Sequence, residues 1–120
     1  MNNKIKGKAG EDIVSKYIEK QGYEVIERNF RTSIGEIDII AAHDGCIVFI
    51  EVKTRKNDEY GMPAEAVDTK KQQTISRVAS QYLQKYNKFD YPVRFDVAEV
   101  WIEQSKITII QNAFDSYIRY

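Results

Sequence analysis

The sequence predicts an α+β fold in which helices cover both faces of a central mixed sheet. Apolar residues recur at helical spacing in two separate segments of the 120-residue chain. Five shorter runs, three between these segments and two after them, alternate in polarity or are wholly apolar, as strands are. The predicted order is therefore helix, three strands, helix, two strands, with a tendency toward three layers. The length suits one domain over residues 1–120.

The first helix is predicted over residues 9–21, with Gly22 as its stop. Its apolar positions at helical spacing are Ile13, Val14, Tyr17 and Ile18. Glu11 falls in the first turn, where a carboxylate complements the helix dipole, and this structural role competes with any functional one. Loose alternation over residues 23–30 then predicts the first strand.

A β-hairpin over residues 35–53 is the segment around which the rest of the chain is organised. Asp44-Gly45 separates two apolar runs. This dipeptide is a strong hairpin signal, because both central positions of a type I′ turn need positive φ. With this turn, His43 faces Cys46. The second strand of the hairpin is apolar on both faces along most of its length, which predicts a central strand covered on both sides.

Charged residues occupy the open end of this hairpin. Continuing the register sets Asp38 opposite Glu51 and Glu36 opposite Lys53. Like charges directly across a strand pair, about 5 Å apart, are destabilising, so a positive charge should lie between Asp38 and Glu51. Two carboxylates that converge on one point are typical of a hard-cation site. A plain salt bridge between Glu36 and Lys53 is the structural alternative.

The segment after the hairpin is a charged loop over residues 54–63. It carries Arg55 and Lys56 directly after the acids, and loops in that position often carry function. The alternative is an exposed run of charges with no specific role.

A second helix is predicted from about residue 64, and clearly from residue 69, to residue 86. Its apolar stripe consists of Ile75, Val78, Ala79, Tyr82, Leu83 and Tyr86. Lys70, Lys71 and Gln73 precede most of this stripe, and cations near a helix start oppose the dipole. Contact with phosphate and simple exposure explain these lysines equally well.

The last two strands are predicted over residues 93–103 and 106–111, forming a hairpin that extends the sheet. Arg94 and Asp96 lie on one face of the first of these strands. We interpret them as structural residues that could pair across to a neighbouring strand, and Trp101 as a packing residue.

Composition limits the classes of function. Apolar residues make up 42% and charged residues 30% of the chain, as in ordinary soluble domains. Formal net charge is zero, so no global basic field indicates a nucleic-acid partner, although bound metal would neutralise an acidic cluster and expose a local basic patch. The chain has no apolar run of about 20 residues and no signal-peptide core, which predicts a cytoplasmic protein without membrane contact. Its lone cysteine, Cys46, is expected to be a buried structural thiol. The sequence leaves a homodimer open.

Five segments, taken in order, closely resemble the YraN family of uncharacterised bacterial proteins. They are Gly7-x-x-Gly10-Glu11, GEIDII, FIEVKTR, Lys70-Lys71-Gln72 and Arg94-Phe95-Asp96-Val97, and together they span nearly the whole chain. That family is similar to archaeal Holliday-junction resolvases. GEID followed after a strand by EVK also resembles the PD-(D/E)XK signature of restriction-endonuclease-like nucleases, whose core order is helix, strand, hairpin, helix.

This resemblance implies a restriction-endonuclease-like core and a Mg²⁺ or Mn²⁺ cofactor. Asp38 and Glu51 would be metal ligands, Glu11 a further acid, and the Val52 carbonyl an additional ligand. Lys53 would orient or activate the attacking water. The implied activity is hydrolysis of phosphodiester bonds in DNA, including structured or branched DNA.

Two rival functions are a nucleic-acid-binding module without catalysis and a protein-interaction domain. Zero net charge favours these rivals, whereas the intact acids and lysine of the signature favour the enzyme. In either nucleic-acid reading, we expect the backbone phosphates to be contacted by Arg55, Lys56, Lys70 and Gln73.

Overall fold

The chain forms two helices and five strands in the order that the sequence predicts. A computed structural model describes residues 3–55 and 67–115. The elements are α1 (Asn3–Lys20), β1 (Glu24–Arg31), β2 (Glu36–His43), β3 (Cys46–Arg55), α2 (Thr69–Lys85), β4 (Val93–Trp101) and β5 (Lys106–Ile110). The predicted α+β class is confirmed.

The strands form one mixed sheet in the spatial order β1-β2-β3-β4-β5. Three neighbouring pairs are antiparallel and β3 pairs with β4 in parallel. The parallel pair arises because α2 lies between these two strands in the chain, and a helix is the usual crossover between parallel strands. β3 is thus the central strand, as predicted.

The two helices pack on opposite faces of the sheet, which gives three layers. On one face, α1 covers a core that comprises Val14, Ile18, Tyr23, Ile39, Ala41, Val48, Ile50, Ala98 and Val100. On the other face, α2 covers the larger core; its sheet residues are Phe30, Ile37, Ile40, Ile47, Phe49, Phe95 and Val97, and its main helix residues are Ile75, Val78, Ala79, Tyr82 and Leu83. β3 contributes to both cores, as its two apolar faces require.

Element boundaries differ from the predicted ones at several ends. α1 begins at Asn3, six residues before the predicted start. The sequence missed these first turns because they carry no apolar repeat. β4 ends at Trp101, since the chain then turns toward Ser105, whose φ is 51°. α2 starts at Thr69, where the Asp68 side chain accepts a hydrogen bond from the Lys71 backbone N–H. The predicted start at 64–66 lies outside the described residues.

The central hairpin turns where predicted. Asp44 and Gly45 have φ of 50° and 78°, as a type I′ turn requires, and His43 faces Cys46. The Cys46 thiol is free and only half-buried, not fully buried as expected.

Gly10 explains how α1 reaches the centre of the sheet. A Cβ at this position would lie 2.6 Å from Thr54 Oγ1 on β3, closer than real Cβ contacts allow. The missing side chain therefore lets the helix approach the strand, and it places the following residue, Glu11, near the end of the hairpin.

A buried polar network near the hairpin turn joins Tyr23, just before β1, to β4, to the end of β2 and to Asn112 after β5. Asp96, fully buried, accepts hydrogen bonds from Tyr23 Oη at 2.9 Å and from Arg94 Nε and Nη2 at 2.9 and 2.8 Å. Burial and, after it, Asp96 raise the pKa of Tyr23 to about 12. Arg94 also donates to His43 Nδ1 at 2.9 Å. Arg94 and Asp96 thus have the structural role that was predicted, but they pair with each other as well as with neighbours from other elements.

Trp101 lies at the end of β4, partly exposed, with Lys106 Nζ 5.1 Å from its ring centroid. No helix in the described part of the chain is long and apolar enough to span a membrane.

Candidate metal centre

The candidate site begins where β2 and β3 part. Their paired register holds as predicted as far as Ile39 and Ile50. Beyond that pair, Asp38 contacts β3 through its side chain, because its Oδ2 accepts a hydrogen bond from the Val52 N–H at 2.8 Å. The carboxylate is thereby fixed at the open end of the hairpin.

Three carboxylates meet at this point. Glu11 from α1 and Glu36 and Asp38 from β2 each offer an oxygen, and these oxygens lie within 4.8 Å of one another. Glu11 is buried although its side chain is ionisable, with 8% of its surface exposed. The structure therefore joins two predicted ligands, Glu11 and Asp38, to one that was not predicted.

Glu36 does not pair with Lys53, so that part of the predicted register is wrong. It lies opposite Arg31 on β1, and Arg31 Nε donates to Glu36 Oε2 at 2.9 Å. Since β2 lies between β1 and β3, a side chain at its start can turn to either neighbour. The salt bridge that was the structural alternative for Lys53 is thus made by Arg31.

Glu51 lies toward the other face of the sheet and outside this group of three. Phe49 packs in the core under α2, and the alternation of β3 places Glu51 and Lys53 on the same side. There, Lys71 Nζ from the first turn of α2 lies 3.8 Å from Glu51 Oε1. Besides burial, the charge of Asp38 raises the pKa of Glu11 and of Glu51, so Asp38 is near both sets.

The pKa values of all three predicted ligands are raised. Burial is the largest cause and Asp38 the next in raising the pKa of Glu11 and of Glu51 to about 7. The pKa of Asp38 is raised mainly by burial, which the hydrogen bond from Val52 opposes. These carboxylates are crowded and partly withdrawn from water, so a bound cation would relieve both penalties.

Glu51→Gln should remove part of the pH dependence of stability. An acid whose pKa is raised from 4.5 to about 7 on folding favours the folded state at low pH, and this advantage is lost as pH rises through that window. In EDTA, we expect Glu51→Gln and wild type to have equal free energies of unfolding near pH 4.5. Near pH 8 the variant should be more stable by about 3 kcal/mol, because a difference of one in pKa corresponds to about 1.4 kcal/mol. Urea unfolding across this range measures the difference.

Glu19→Gln is the matched control, because Glu19 is an exposed acid on α1. If the free energy of unfolding changes with pH in the same way for wild type and both variants, the pKa of Glu51 is not raised by folding.

Asn29 is a site residue that the sequence did not reveal. Its φ of 56° is left-handed, a conformation that asparagine tolerates better than most residues. The amide orientation that satisfies its neighbours directs the nitrogen toward Glu11 Oε1 and Glu36 Oε1, each 2.8 Å away, so that it donates to both. Asn29 therefore bridges acids from α1 and β2.

The residues predicted to contact nucleic acid differ in how accessible they are. Lys70 and Gln73 are exposed in the first turns of α2, while Lys56 lies outside the described residues. Arg55 is half-buried and makes an ion pair with Glu99 of β4, a residue that is 1% exposed. Arg55 therefore already has an internal partner. A side chain that is available to bind a phosphate would be expected to lack one.

Oxygen donors dominate the centre, and their chemistry fits Mg²⁺ or Mn²⁺. Hard divalent cations prefer carboxylates, backbone carbonyls and water. Glu11, Glu36 and Asp38 provide the clustered carboxylates and Glu51 lies beside Asp38, while Lys71 and Lys53 provide nearby positive charge that lowers the pKa of Asp38 and Glu51.

The chain is similar to proteins across many bacteria. The model of an uncharacterised protein family, UPF0102, matches residues 10–100. A UPF0102 protein of Alkaliphilus metalliredigens is 52% identical over 113 residues, covering 93% of this chain and 99% of the relative. A UPF0102 protein of Caldanaerobacter subterraneus is 44% identical over 119 residues, covering 95% and 98%. A third, from Clostridioides difficile, is 46% identical over 114 residues, covering 95% and 100%.

Proposed function

Since the chain belongs to the uncharacterised protein family UPF0102, the YraN family, we propose that it is a Mg²⁺- or Mn²⁺-dependent nuclease that hydrolyses DNA phosphodiester bonds. The observation that carries this proposal is the meeting of Glu11, Glu36 and Asp38, whose carboxylate oxygens lie within 4.8 Å of one another, beside Glu51, whose pKa is raised by burial and by the charge of Asp38. The helix, sheet and helix layers also suit a restriction-endonuclease-like core. Structured or branched DNA is the proposed substrate.

Asp38 is the central ligand in this proposal, because its hydrogen bond to Val52 fixes it at the point where the strands part. Glu11 and Glu51 would complete the carboxylate set, with the Val52 carbonyl as a further ligand. Mg²⁺ held there supplies charge stabilisation at the phosphate and lowers the pKa of a water molecule.

Lys53 shares its strand face with Glu51 and carries a charge opposite to that of the reacting phosphate. An ammonium fixed in a half-buried position stabilises negative charge that develops in the transition state more strongly than one in water. Lys53 would therefore act on the reacting phosphate and its attacking water. Lys56, Lys70 and Gln73 would contact phosphates farther along the strand, whereas Arg55 is held by Glu99.

A binding domain without catalysis is the second candidate. It is favoured by zero net charge and by the ion pair that Glu51 already makes with Lys71. In that case the acids would be neutralised by the protein itself and by a partner, without a metal.

A cleavage assay tests the proposed function. We expect wild type to cut single-stranded, duplex or branched DNA in Mg²⁺ or Mn²⁺ and to be inactive in EDTA. Glu51→Ala should abolish cleavage, because it removes a ligand, whereas Glu19→Ala should cut normally. DNA binding without cleavage of any substrate would support the binding domain. Absence of both would support a protein-interaction domain.

A further inference from the structure

Lys71 occupies a position in α2 that is unfavourable for a cation. It lies in the first turn, where the helix dipole repels positive charge, and its backbone N–H is already used by the Asp68 cap. Its Nζ lies 3.8 Å from Glu51 Oε1. Attraction to Glu51 therefore offsets the cost of placing a lysine at this point of the helix.

The two partners differ in how well they are held. The Lys71 side chain is 48% exposed, whereas the Glu51 side chain is 14% exposed. Glu51 lies within β3 and its side chain is largely buried, while Lys71 can rotate into water on a flexible stem. The ion pair can thus open by movement of the lysine alone.

A divalent cation bound to Glu51 would repel the Lys71 ammonium, because both carry positive charge and both would bind the same carboxylate. Rotation outward would take the ammonium to the exposed start of α2, beside Lys70. A phosphate of bound nucleic acid is the anion that would meet it there, since a metal-bound site no longer offers an unneutralised carboxylate.

We propose that Lys71 is an exchangeable counter-ion: it neutralises Glu51 before metal binds, and then contacts a backbone phosphate of the nucleic acid. This inference rests on the proposed function and adds to it a coupling between the two ligands. Metal binding releases Lys71 for the nucleic acid, and the nucleic acid, by drawing Lys71 away, favours metal binding. Such coupling is reciprocal by thermodynamic necessity.

Lys71→Met tests the proposal and Lys70→Met is its control, since the two lysines are neighbours on one helix turn and only Lys71 pairs with Glu51. Ca²⁺ serves as the metal probe, and a labelled branched DNA serves as the nucleic-acid probe, both measured by binding. Without DNA, Lys71→Met should bind Ca²⁺ about fivefold more tightly than wild type, because one nearby unit charge is removed. Lys70→Met should bind Ca²⁺ as wild type does.

The ratio of DNA affinities with and without Ca²⁺ gives the coupling. In Lys71→Met, DNA affinity in Ca²⁺ should fall about tenfold. The slope of log affinity against log salt concentration should fall by about one, as expected for the loss of one phosphate contact. The ratio of DNA affinities with and without Ca²⁺ therefore becomes smaller. Lys70→Met should weaken DNA binding equally in both conditions and leave the ratio unchanged. Lys71→Arg should restore the wild-type ratio, which separates charge from helix packing.

Two failures are distinguishable. If wild type binds neither Ca²⁺ nor DNA, the proposed function fails and this inference fails with it. If wild type binds both, but Lys71→Met and Lys70→Met change Ca²⁺ affinity and the ratio alike, the inference about Lys71 alone is overturned.

Discussion

Lys53→Ala should lower the rate of single-turnover DNA cleavage by about 10²- to 10³-fold, the usual cost of losing a group that stabilises transition-state charge. DNA affinity in Ca²⁺ should remain within about threefold of wild type, because an interaction made mainly in the transition state contributes little to ground-state binding. Quenched-flow cleavage at saturating protein and equilibrium DNA binding measure the two quantities separately.

Lys20→Ala is the control for loss of one positive charge, since Lys20 is exposed in the last turn of α1. It should retain the wild-type cleavage rate. A structural role for Lys53 predicts instead that the melting temperature of Lys53→Ala falls and that lost activity follows lost folding. A well-folded Lys53→Ala that cleaves at the wild-type rate would remove Lys53 from the mechanism.

The hairpin was predictable because its determinants are local. Asp44-Gly45 specifies the turn, and strand pairing of period two then carries the register to Ile39 and Ile50. The prediction stops at Asp38, where the strands part. Whether a carboxylate there faces its neighbour or accepts a backbone N–H depends on how the strands diverge, and side-chain alternation does not specify this.

Residues from distant elements were harder to assign. Glu11 entered through family resemblance, since its position in a first turn has a sufficient structural explanation, and Gly10 shows physically why α1 comes close enough to matter. Asn29 and Lys71 reach the acids only through packing of the edge strand and the second helix. No spacing within the chain encodes those approaches.

Arg55 and Glu99 also show that contacts between distant elements cannot be read from the sequence. In this case the contact removes a residue from the predicted site. Arg55 follows the signature and was predicted to contact phosphate, yet a fully buried acid on β4 holds its Nε. Glu99 lies beside Lys53 in the parallel register, a neighbour that exists only once α2 has crossed the sheet. Charges near the site therefore divide into those fixed by the protein and those exposed to a ligand.

The second large effect is expected at Asp96, where the charges serve the fold. Asp96→Ala leaves Arg94, whose side chain is 12% exposed, without its carboxylate and leaves Tyr23 without its acceptor. Removing one partner of a buried ion pair costs about 3–5 kcal/mol, because the remaining charge stays out of water. We expect urea unfolding to show a loss of that size. Asp90→Ala, at an exposed acid just before β4, should change stability by less than about 0.5 kcal/mol.

A double variant, Arg94→Leu with Asp96→Val, decides whether the cost comes from the unpaired charge. With both charges replaced by apolar side chains, no buried guanidinium remains, so the double variant should recover most of the lost free energy of unfolding. Tyr23 still loses its acceptor in this variant, so recovery should fall short of wild type by about 1–2 kcal/mol. If the losses of the single variants Arg94→Leu and Asp96→Val simply add in the double variant, Arg94 and Asp96 act independently. In that case their 2.8 Å contact contributes nothing of its own to folding.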